Sequence, residues 1–197
     1  MVQNLKPQTS NLKPVVIISG PPGSGTTSVA RAVAKHFGFE LFSTGEIFRG
    51  IAKERKLQVG QLSEKAEREV DWDVDNKCKF AAQKGNVIIE SDIAAWYIDP
   101  AIKIWLDAPL MVRATRIFSN IKKRVAEKYN NLAEVAQKIK KRRDADRDRY
   151  SKLYNYNVDD TSIYEFKVDT EYLSEAEVVA QVVDFINKKL KKGERKG

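Results

Sequence analysis

Short apolar runs alternate along the chain with longer stretches in which apolar residues recur every three or four positions. The first run, residues 15–18 (VVII), ends in a glycine- and proline-rich turn, which is typical of a buried strand. Four more candidate strands lie at 39–42, 86–90, 102–106 and 164–168. Because continuously apolar strands separated by helices build parallel sheets, the pattern predicts an α/β fold with a five-stranded parallel sheet and helices on both faces. Ligands of such sheets bind at the carboxyl ends of the strands.

The amphipathic stretches between the strands predict the helices. Apolar residues recur at helical spacing from Ser24 to Phe37, and Gly38 follows as a stop signal. Thr44 is placed to cap the next helix, and Ser174 with Glu177 forms a capping-box pattern at the start of the last one. The other helical segments are one or two polar helices within 62–84, a charged stretch at 112–153 with a break near 130–131, and a final helix at 174–190.

The length of 197 residues fits a single domain at 15–190, with a flexible tail at 1–14 and a basic tail at 191–197. Cys78 is the only cysteine, which excludes an intramolecular disulfide and a cysteine-built zinc site and indicates a reducing compartment. No apolar run approaches the roughly 20 residues of a membrane span. We therefore expect a cytoplasmic, monomeric protein that does not bind membranes.

The formal net charge of +8 is concentrated in two segments. Residues 122–152 hold twelve basic and five acidic side chains, and residues 188–197 hold six basic side chains and Glu194. The internal segment is a candidate clamp for phosphate groups. The tail is expected to be a solvated terminus, with weak nucleic-acid contact as the alternative.

A glycine-rich loop, residues 20–27 (GPPGSGTT), follows the first strand and opens the first helix, which is the context that a phosphate-binding loop requires. Glycines let the backbone approach closely, so that successive N–H groups and the positive helix end attract the phosphates of ATP. Thr27 is placed to put its hydroxyl on Mg²⁺. The generic loop has lysine where this chain has Thr26, so one positive charge is missing. An ordinary glycine turn between strand and helix is the alternative.

Residues 18–27 (ISGPPGSGTT) resemble the loop of archaeal-type cytidylate kinases, a family of P-loop nucleoside monophosphate kinases in which threonine replaces the lysine. Further matches follow in order within residues 15–190: they are 43–49 (STGEIFR), 87–90 leading to 95–96, 103–109 (KIWLDAP), 112–113 with 116–117, 143–150 and 159–164 (DDTSIY). An ordered series is more specific than one motif. The resemblance implies a three-layer P-loop kinase fold, with acceptor-binding helices at 44–84 and a mobile helical lid at 116–150.

The resemblance also implies roles for single residues, with ATP as donor and Mg²⁺ held by Thr27. The contacts implied for the ATP phosphates are Gly20, Pro21, Pro22, Gly23, Ser24, Gly25, Thr26, Thr27 and Ser28. The contacts implied for the acceptor are Thr44, Gly45, Arg49 and the residue at position 92. A cation near the start of a helix that faces the nucleotide crevice suits bidentate phosphate binding, which independently supports Arg49.

The lid arginines form a third group. Arg143 and Arg149 are assigned to the charge of the transition state, and Arg116 to the adenine or a phosphate, because phosphoryl transfer needs cations and the loop lysine is absent. Arg113, Arg142 and Arg147 stay open, since adjacent arginines cannot all face the site. The alternative for the whole run is a helix face of ion pairs with its own aspartates. No general base is required, because the acceptor phosphate is already ionised, and His36 is expected to be an ordinary helix residue.

Position 92 departs from the family. After the third strand the family commonly has Gly-Arg, and that arginine holds the acceptor, whereas this chain has Ser91 and Asp92. A carboxylate there repels a phosphate unless it pairs with an arginine or helps to hold Mg²⁺ through water. The stretch 118–131 also lacks the family's usual Arg-Glu-Gly turn. Asp71 and Asp75 match acidic positions of the acceptor region, with solvated helix carboxylates as the alternative.

The predicted function is transfer of the γ-phosphate of ATP to CMP or dCMP, giving CDP or dCDP. One alternative is a kinase for another nucleoside monophosphate. The other is a non-catalytic nucleotide-binding or RNA-associated factor, which Asp92 and the basic tail would suit.

Overall fold

The computed structural model describes residues 13–57, 61–62, 68–120 and 131–194. Its strands are β1 Val15–Ser19, β2 Glu40–Ser43, β3 Val87–Glu90, β4 Ile102–Asp107 and β5 Phe166–Asp169. Its helices are α1 Thr26–Phe37, α2 Thr44–Glu54, α3 Arg68–Lys84, α4 Ala94–Tyr97, α5 Leu110–Ser119, α6 Leu132–Tyr154 and α7 Glu175–Glu194. The alternation that the apolar pattern predicts is therefore present.

The five strands form one parallel sheet in the order β2-β3-β1-β4-β5. β1 lies at the centre, where Ile17 pairs with Ile89 on one side and with Lys103 on the other. Because the strands are parallel, the loops after β1, β3 and β4 converge at one edge of the sheet. This confirms the predicted α/β fold and brings the glycine-rich loop beside position 92.

Both faces of the sheet are covered, as continuously apolar parallel strands require. Alternate residues of β1 point to opposite faces: Val16 and Ile18 pack with α1 and α7, and Ile17 packs with α3 and α4. All three side chains have no exposed surface. The core thus fixes the central strand, and with it the start of the loop that follows.

Smaller apolar clusters attach the remaining helices. Phe48 of α2 packs against Val74 of α3, and Ile117 of α5 packs against Val135 of α6. The far end of α6 reaches the loop after β3, where Tyr150 packs against Ile93. These contacts bring α2, α3 and α6 to the edge of the sheet that carries the site.

The cap of α2 differs from the prediction. Ser43, and not Thr44, is the N-cap: its Oγ accepts from the Glu46 N–H at 3.1 Å. Thr44 is the first helical residue, and its hydroxyl donates to the Glu90 carbonyl at 3.1 Å. The helix begins one residue earlier than expected because Ser43 is still extended, which leaves its side chain free to cap.

The last two helices follow the sequence signals more closely. Ser174 and Glu177 exchange the hydrogen bonds of a capping box at the start of α7, as predicted. α7 continues past Leu190 to Glu194, so part of the expected tail is helical. α6 begins after Asn131, whose side chain accepts from the Glu134 N–H at 2.9 Å, at the predicted break.

Several predicted features lie outside the described residues: the tail at 1–12, the part of the lid at 121–130 and the end at 195–197. The domain boundaries and the mobility of the lid stay predictions. Within the described ranges, no helix combines the length and the apolar character that crossing a membrane demands.

Candidate active site

The glycine-rich loop joins the end of β1 to the start of α1. Gly23 and Gly25 have φ of +90° and +101°, a region that side chains rarely adopt. A Cβ at Gly23 would also lie 2.7 Å from the carbonyl oxygen of Arg113. Gly25 is the N-cap of α1 and provides no side-chain cap, so the first N–H groups of the helix remain available to an anion.

Glu90, at the carboxyl end of β3, connects this loop to the start of α2. Its Oε1 accepts from the hydroxyls of Thr26 at 3.0 Å and Thr27 at 3.1 Å, and its Oε2 accepts from Ser43. Thr26 thus donates a hydrogen bond from an uncharged hydroxyl at the position where other loops place a lysine. Our sequence interpretation gave Glu90 no role. The sequence feature that could have indicated its role is a carboxylate at the end of a buried strand, since that strand is expected to lie near the strand that leads into the glycine-rich loop.

A cleft of about 290 Å³ opens beside the loop. Residues of the loop, α1, α5 and the β5–α7 connection line it: Gly23, Ser24, Gly25, Thr26, Thr27, Ser28, Val29, Arg116, Ile117, Asn120, Thr170, Leu173, Glu175 and Val178. Six of the nine predicted phosphate contacts are among them, whereas Gly20, Pro21 and Pro22 are not. The cleft size and the adjoining N–H groups suit the triphosphate end of a nucleotide.

Thr170 positions Arg116 at the wall of this cleft. Arg116 donates from Nη1 to Thr170 Oγ1 at 2.8 Å and from Nη2 to the Thr170 carbonyl at 2.5 Å. The buried Thr170 hydroxyl also lies 3.2 Å from the Ser24 carbonyl oxygen and 2.8 Å from that of Asp107. Sequence reasoning missed Thr170, because the signal that links it to Arg116 is spatial.

Arg113 lies behind the loop and not in the cleft. Its Nε donates to the Ala108 carbonyl at 2.8 Å and its Nη1 donates to the Pro22 carbonyl at 3.2 Å. Burial lowers the pKa of Arg113, although Asp107 opposes this effect. Arg113 therefore supports the backbone of the loop, which answers one question that the sequence left open.

The predicted acceptor residues of α2 lie on the other side of Glu90. Gly45 leaves room for the side chains of Arg49 and Glu90, because a Cβ at position 45 would lie 3.2 Å from Arg49 Nη1 and 3.4 Å from Glu90 Oε2. The half-buried Arg49 therefore folds back over the first turn of its own helix, next to the carboxylate that binds the donor loop. Thr44, Gly45, Arg49 and Glu90 are together at this end of the sheet.

Arg149 of α6 is buried against carboxylates from two helices. Its side chain is 9% exposed, with Nη2 3.1 Å from Asp146 Oδ1 and Nε 3.4 Å from Asp71 Oδ2. Its guanidinium lies 5.3 Å from the ring centre of Phe48 and 4.7 Å from that of Tyr150. The anionic groups around it raise the pKa of Arg149 despite its burial. Arg149 thus joins α2, α3 and α6 in the region predicted for the acceptor.

The other arginines of α6 divide between the interior and the surface. Arg142 approaches Asp146 at 3.6 Å with 19% of its side chain exposed. Arg147 pairs with Asp144 at 2.9 Å, and both are nearly half exposed. The alternative of i,i+3 and i,i+4 ion pairs is therefore correct for these pairs and for the pair of Arg149 with Asp146.

Arg143 contacts the segment between α6 and β5 and one side chain of β4. Its Nε donates to Asp159 Oδ1 at 3.0 Å, its Nη2 donates to the Val158 carbonyl at 2.7 Å, and its guanidinium lies 5.7 Å from the ring centre of Trp105. The buried Nη1 has no hydrogen-bond partner. Burial lowers the pKa of Arg143, but the nearby carboxylates outweigh this and raise it, Asp92 most strongly.

Asp71 and Asp75 of α3 are buried and not solvated helix carboxylates. Burial raises the pKa of Asp71 to about 6, with Arg149 opposing the rise, and burial also raises the pKa of Asp75. Asp75 accepts from Tyr97 OH at 2.9 Å and from Tyr154 OH at 2.6 Å. The two carboxylates thus tie α3 to α4 and α6.

Asp92 is half-buried in the loop between β3 and α4. In the part of the chain that the structure describes, it makes no hydrogen bond or ion pair. Burial raises its pKa to about 6, and Arg143 opposes the rise. Its carboxylate thus lies in the region predicted for the acceptor and interacts electrostatically with Arg143.

The chain is similar to known proteins over most of its length. A model of the AAA domain family matches residues 19–155. The cytidylate kinase of Pyrococcus abyssi is 39% identical over 171 residues, covering 85% of this chain and 91% of that protein. The cytidylate kinase of Halobacterium salinarum is 36% identical over 181 residues, covering 88% and 89%.

Solved structures agree on the fold. A gluconokinase from Sinorhizobium meliloti superposes with a TM-score of 0.60 at 12% identity, covering 95% of this chain and 99% of that one. A shikimate kinase from Acinetobacter baumannii, solved with shikimate, has a TM-score of 0.57 at 15% identity, covering 89% and 94%. At these identities the likeness concerns the architecture alone.

Proposed function

The chain belongs to the cytidylate kinase family, and we propose that it transfers the γ-phosphate of ATP to CMP or dCMP, giving CDP or dCDP. The observation that carries this proposal is the position of Glu90. Its carboxylate binds Thr26 and Thr27 of the donor loop and also Ser43, the cap of the helix that carries Arg49. A donor side and an acceptor side thus meet at the end of one strand, as direct transfer between two nucleotides requires.

The donor side has the groups that an ATP phosphate chain needs. The N–H groups of the loop and of the first turn of α1 provide hydrogen bonds, and the helix end adds a favourable field. Glycine is required at position 23, because a side chain would displace the loop from Arg113. Arg116, fixed by Thr170, supplies a cation at the cleft wall. We assign this cleft to ATP.

The residues at this point also fit Mg²⁺, which prefers a few protein oxygens together with phosphate oxygens and water. Thr27 offers its hydroxyl, and Glu90 offers a carboxylate within reach of the same place. When bound, Mg²⁺ neutralises the charge of the phosphates between which transfer occurs. Thr27 would hold the ion directly, and Glu90 would orient its water ligands.

The acceptor side supplies cations and excludes water. Arg49 binds the phosphate of the acceptor, which is already ionised at neutral pH, so no residue needs to remove a proton. Arg143 and Arg149 contribute positive charge from α6 in a largely buried setting, where its effect on the transition state is greatest. Closure of this side over the phosphates limits competing hydrolysis of ATP.

The direct test mixes the protein with ATP, Mg²⁺ and each nucleoside monophosphate in turn, and measures ADP against a blank without acceptor. We expect CMP or dCMP to give the highest rate. A higher rate with another monophosphate would mean that the protein is a nucleoside monophosphate kinase with a different acceptor specificity. ATP binding without any acceptor-dependent ADP would contradict phosphoryl transfer and favour a nucleotide-binding factor.

A further inference from the structure

Thr170 follows β5, and the main chain fixes its position without help from its hydroxyl. Its backbone N–H donates to the Asp107 carbonyl at 2.8 Å, which continues the pairing of β5 with β4. The residue is buried, so its hydroxyl needs a partner inside the protein. Because strand pairing does not use this hydroxyl, it is available for contacts beyond the sheet.

The hydroxyl joins separate segments at the wall of the donor cleft. Thr170 Oγ1 accepts from Arg116 Nη1 at 2.8 Å, and it lies 3.2 Å from the Ser24 carbonyl oxygen and 2.8 Å from that of Asp107. Its single proton can be donated to one of these carbonyls at a time. The Asp107 carbonyl already receives the Thr170 N–H. The hydroxyl thus links Arg116 of α5 to the backbone of the glycine-rich loop.

Arg116 is held by neutral oxygens. Its Nη2 donates to the Thr170 carbonyl at 2.5 Å, so both ends of the guanidinium bind one uncharged residue. Within the described ranges, no carboxylate lies at ion-pair distance from Arg116, whereas Arg143 and Arg149 each pair with a carboxylate. A guanidinium held in this way can attract an anion without first giving up an ion pair.

The same helix contacts the glycine-rich loop a second time. Arg113, three residues before Arg116 on α5 and thus on the same side of the helix, donates from Nη1 to the Pro22 carbonyl at 3.2 Å. Arg116 and Thr170 both line the cleft that we assign to ATP. The loop in this cleft has Thr26 where other loops have lysine, so a cation supplied from α5 matters more here.

We propose that Thr170 is a positioning residue for the donor: its hydroxyl fixes the Arg116 guanidinium against the glycine-rich loop before ATP binds. This inference rests on the proposed function, since it takes the cleft as the ATP site. It assigns to a neutral hydroxyl an effect on ATP binding that is exerted through Arg116. Loss of the hydroxyl should therefore matter only while Arg116 is present.

The test is a double-mutant cycle of Thr170→Val and Arg116→Ala, measured by calorimetric titration of ATP with Mg²⁺ and by the KM values for ATP and CMP. Valine keeps the shape and the main-chain contacts but removes the hydroxyl. We expect Thr170→Val to raise the Kd and KM for ATP about fivefold and Arg116→Ala about tenfold, with the KM for CMP within about twofold. The double variant should match Arg116→Ala at about tenfold, whereas independent effects would multiply to about fiftyfold.

Thr170→Ser restores the hydroxyl and should bind ATP within about twofold of wild type. The matched control is Thr115→Val on α5, because Thr115 is exposed and its hydroxyl donates to the Met111 carbonyl of its own helix at 2.9 Å. This control should change neither constant for ATP more than about twofold.

Thermal melting of every variant separates loss of fold from loss of ATP binding. If Thr170→Val does not fold, Arg116→Lys carries the test. Lysine keeps the charge but lacks the planar fork that binds both oxygens of Thr170, so the Kd for ATP must again rise about fivefold.

Two results would overturn the inference while the proposed function stands. One is a wild-type Kd for ATP in Thr170→Val, or in Arg116→Lys where that variant carries the test. The other is a double variant about fiftyfold weaker than wild type, since Thr170 would then act independently of Arg116. A wild-type protein that binds ATP without forming acceptor-dependent ADP would instead overturn the proposed phosphoryl transfer, and the titrations of ATP would still decide the role of Thr170. A wild-type protein that does not bind ATP would overturn both.

Discussion

The proposed donor side and the proposed acceptor side of the site are built in opposite ways. The donor side uses backbone N–H groups and hydroxyls from one continuous segment, residues 23–28, and adds one arginine held by Thr170. The acceptor side collects charged side chains from α2, α3, α6 and the loop after β3. One side depends on the path of the backbone, and the other on charges that must balance one another.

This difference determines how each side responds to substitution. A backbone cradle fails when the chain is displaced by as little as about 1 Å, even with every charge unchanged. A buried charge cluster fails when one member is removed, because its partner is then left desolvated and unpaired. Shape should therefore decide the effect of substitutions on the donor side, and charge should decide it on the acceptor side.

The largest effect is expected from Gly23→Ala on the donor side. The added Cβ would lie 2.7 Å from the Arg113 carbonyl oxygen, and φ of +90° disfavours any side chain. We expect kcat/KM for ATP to fall about 10²- to 10³-fold, measured by coupled ADP formation. Gly50→Ala in α2 is the control, since nothing lies within 4 Å of its Cβ position. Equal activity of the two variants would contradict a donor loop defined by shape.

Glu90→Gln tests the group that the two sides share. The amide keeps the size of the side chain but removes the charge that receives the hydroxyls of Thr26, Thr27 and Ser43. We expect kcat to fall about 100-fold and the Mg²⁺ concentration for half-maximal rate to rise. Exposed Glu40 at the opposite end of the sheet provides the control substitution Glu40→Gln. An unchanged Mg²⁺ requirement would remove Glu90 from the proposed metal site.

Arg116→Ala should weaken binding of the donor substrate and leave binding of the acceptor substrate unchanged. Its guanidinium lines the donor cleft and is bound to Thr170. We therefore expect the KM for ATP to rise about tenfold with the KM for CMP unchanged. Arg31→Ala removes an exposed guanidinium that pairs with Glu46 and should alter neither constant. A rise in the KM for CMP alone would contradict the assignment of Arg116 to the donor side.

The same contrast explains which features the sequence could reveal. The strands, the glycine-rich loop and Gly38 at the end of α1 depend on neighbouring residues, so local patterns predicted them. The ordered motifs predicted the kinase family and its function, which the similarity to cytidylate kinases confirmed. The structure shows where the predicted phosphate, acceptor and lid residues lie. Their roles in the reaction stay predictions.

The missing features depend on residues far apart in the chain. Thr170 is 54 positions from Arg116, and Glu90 is 64 positions from Thr26. No local pattern reports such distances. The burial of Asp71 beneath Arg149 was equally hidden, because a charged helix looks the same in sequence whether its carboxylates face water or another helix.

The smallest expected effect concerns stability and belongs to the acceptor side. Burial raises the pKa of Asp71 to about 6, against about 3.9 in an unfolded chain. The native state therefore binds the proton more tightly, so the stability linked to Asp71 is greatest below about pH 4 and is lost as the pH rises through about 6.

Asp71→Asn cannot titrate, so its free energy of unfolding relative to wild type should rise between pH 4 and pH 7, by on the order of 2 kcal/mol. Urea denaturation of both proteins at several pH values measures this difference, whatever the constant cost of the lost contact with Arg149. Asp73→Asn on the same helix, where Asp73 is exposed and paired with Lys77, should show no such slope. If both variants show the same pH dependence of the free energy of unfolding, burial of Asp71 is not its cause. The acceptor side would then contain more charged side chains than the donor side without holding them in a different electrostatic environment.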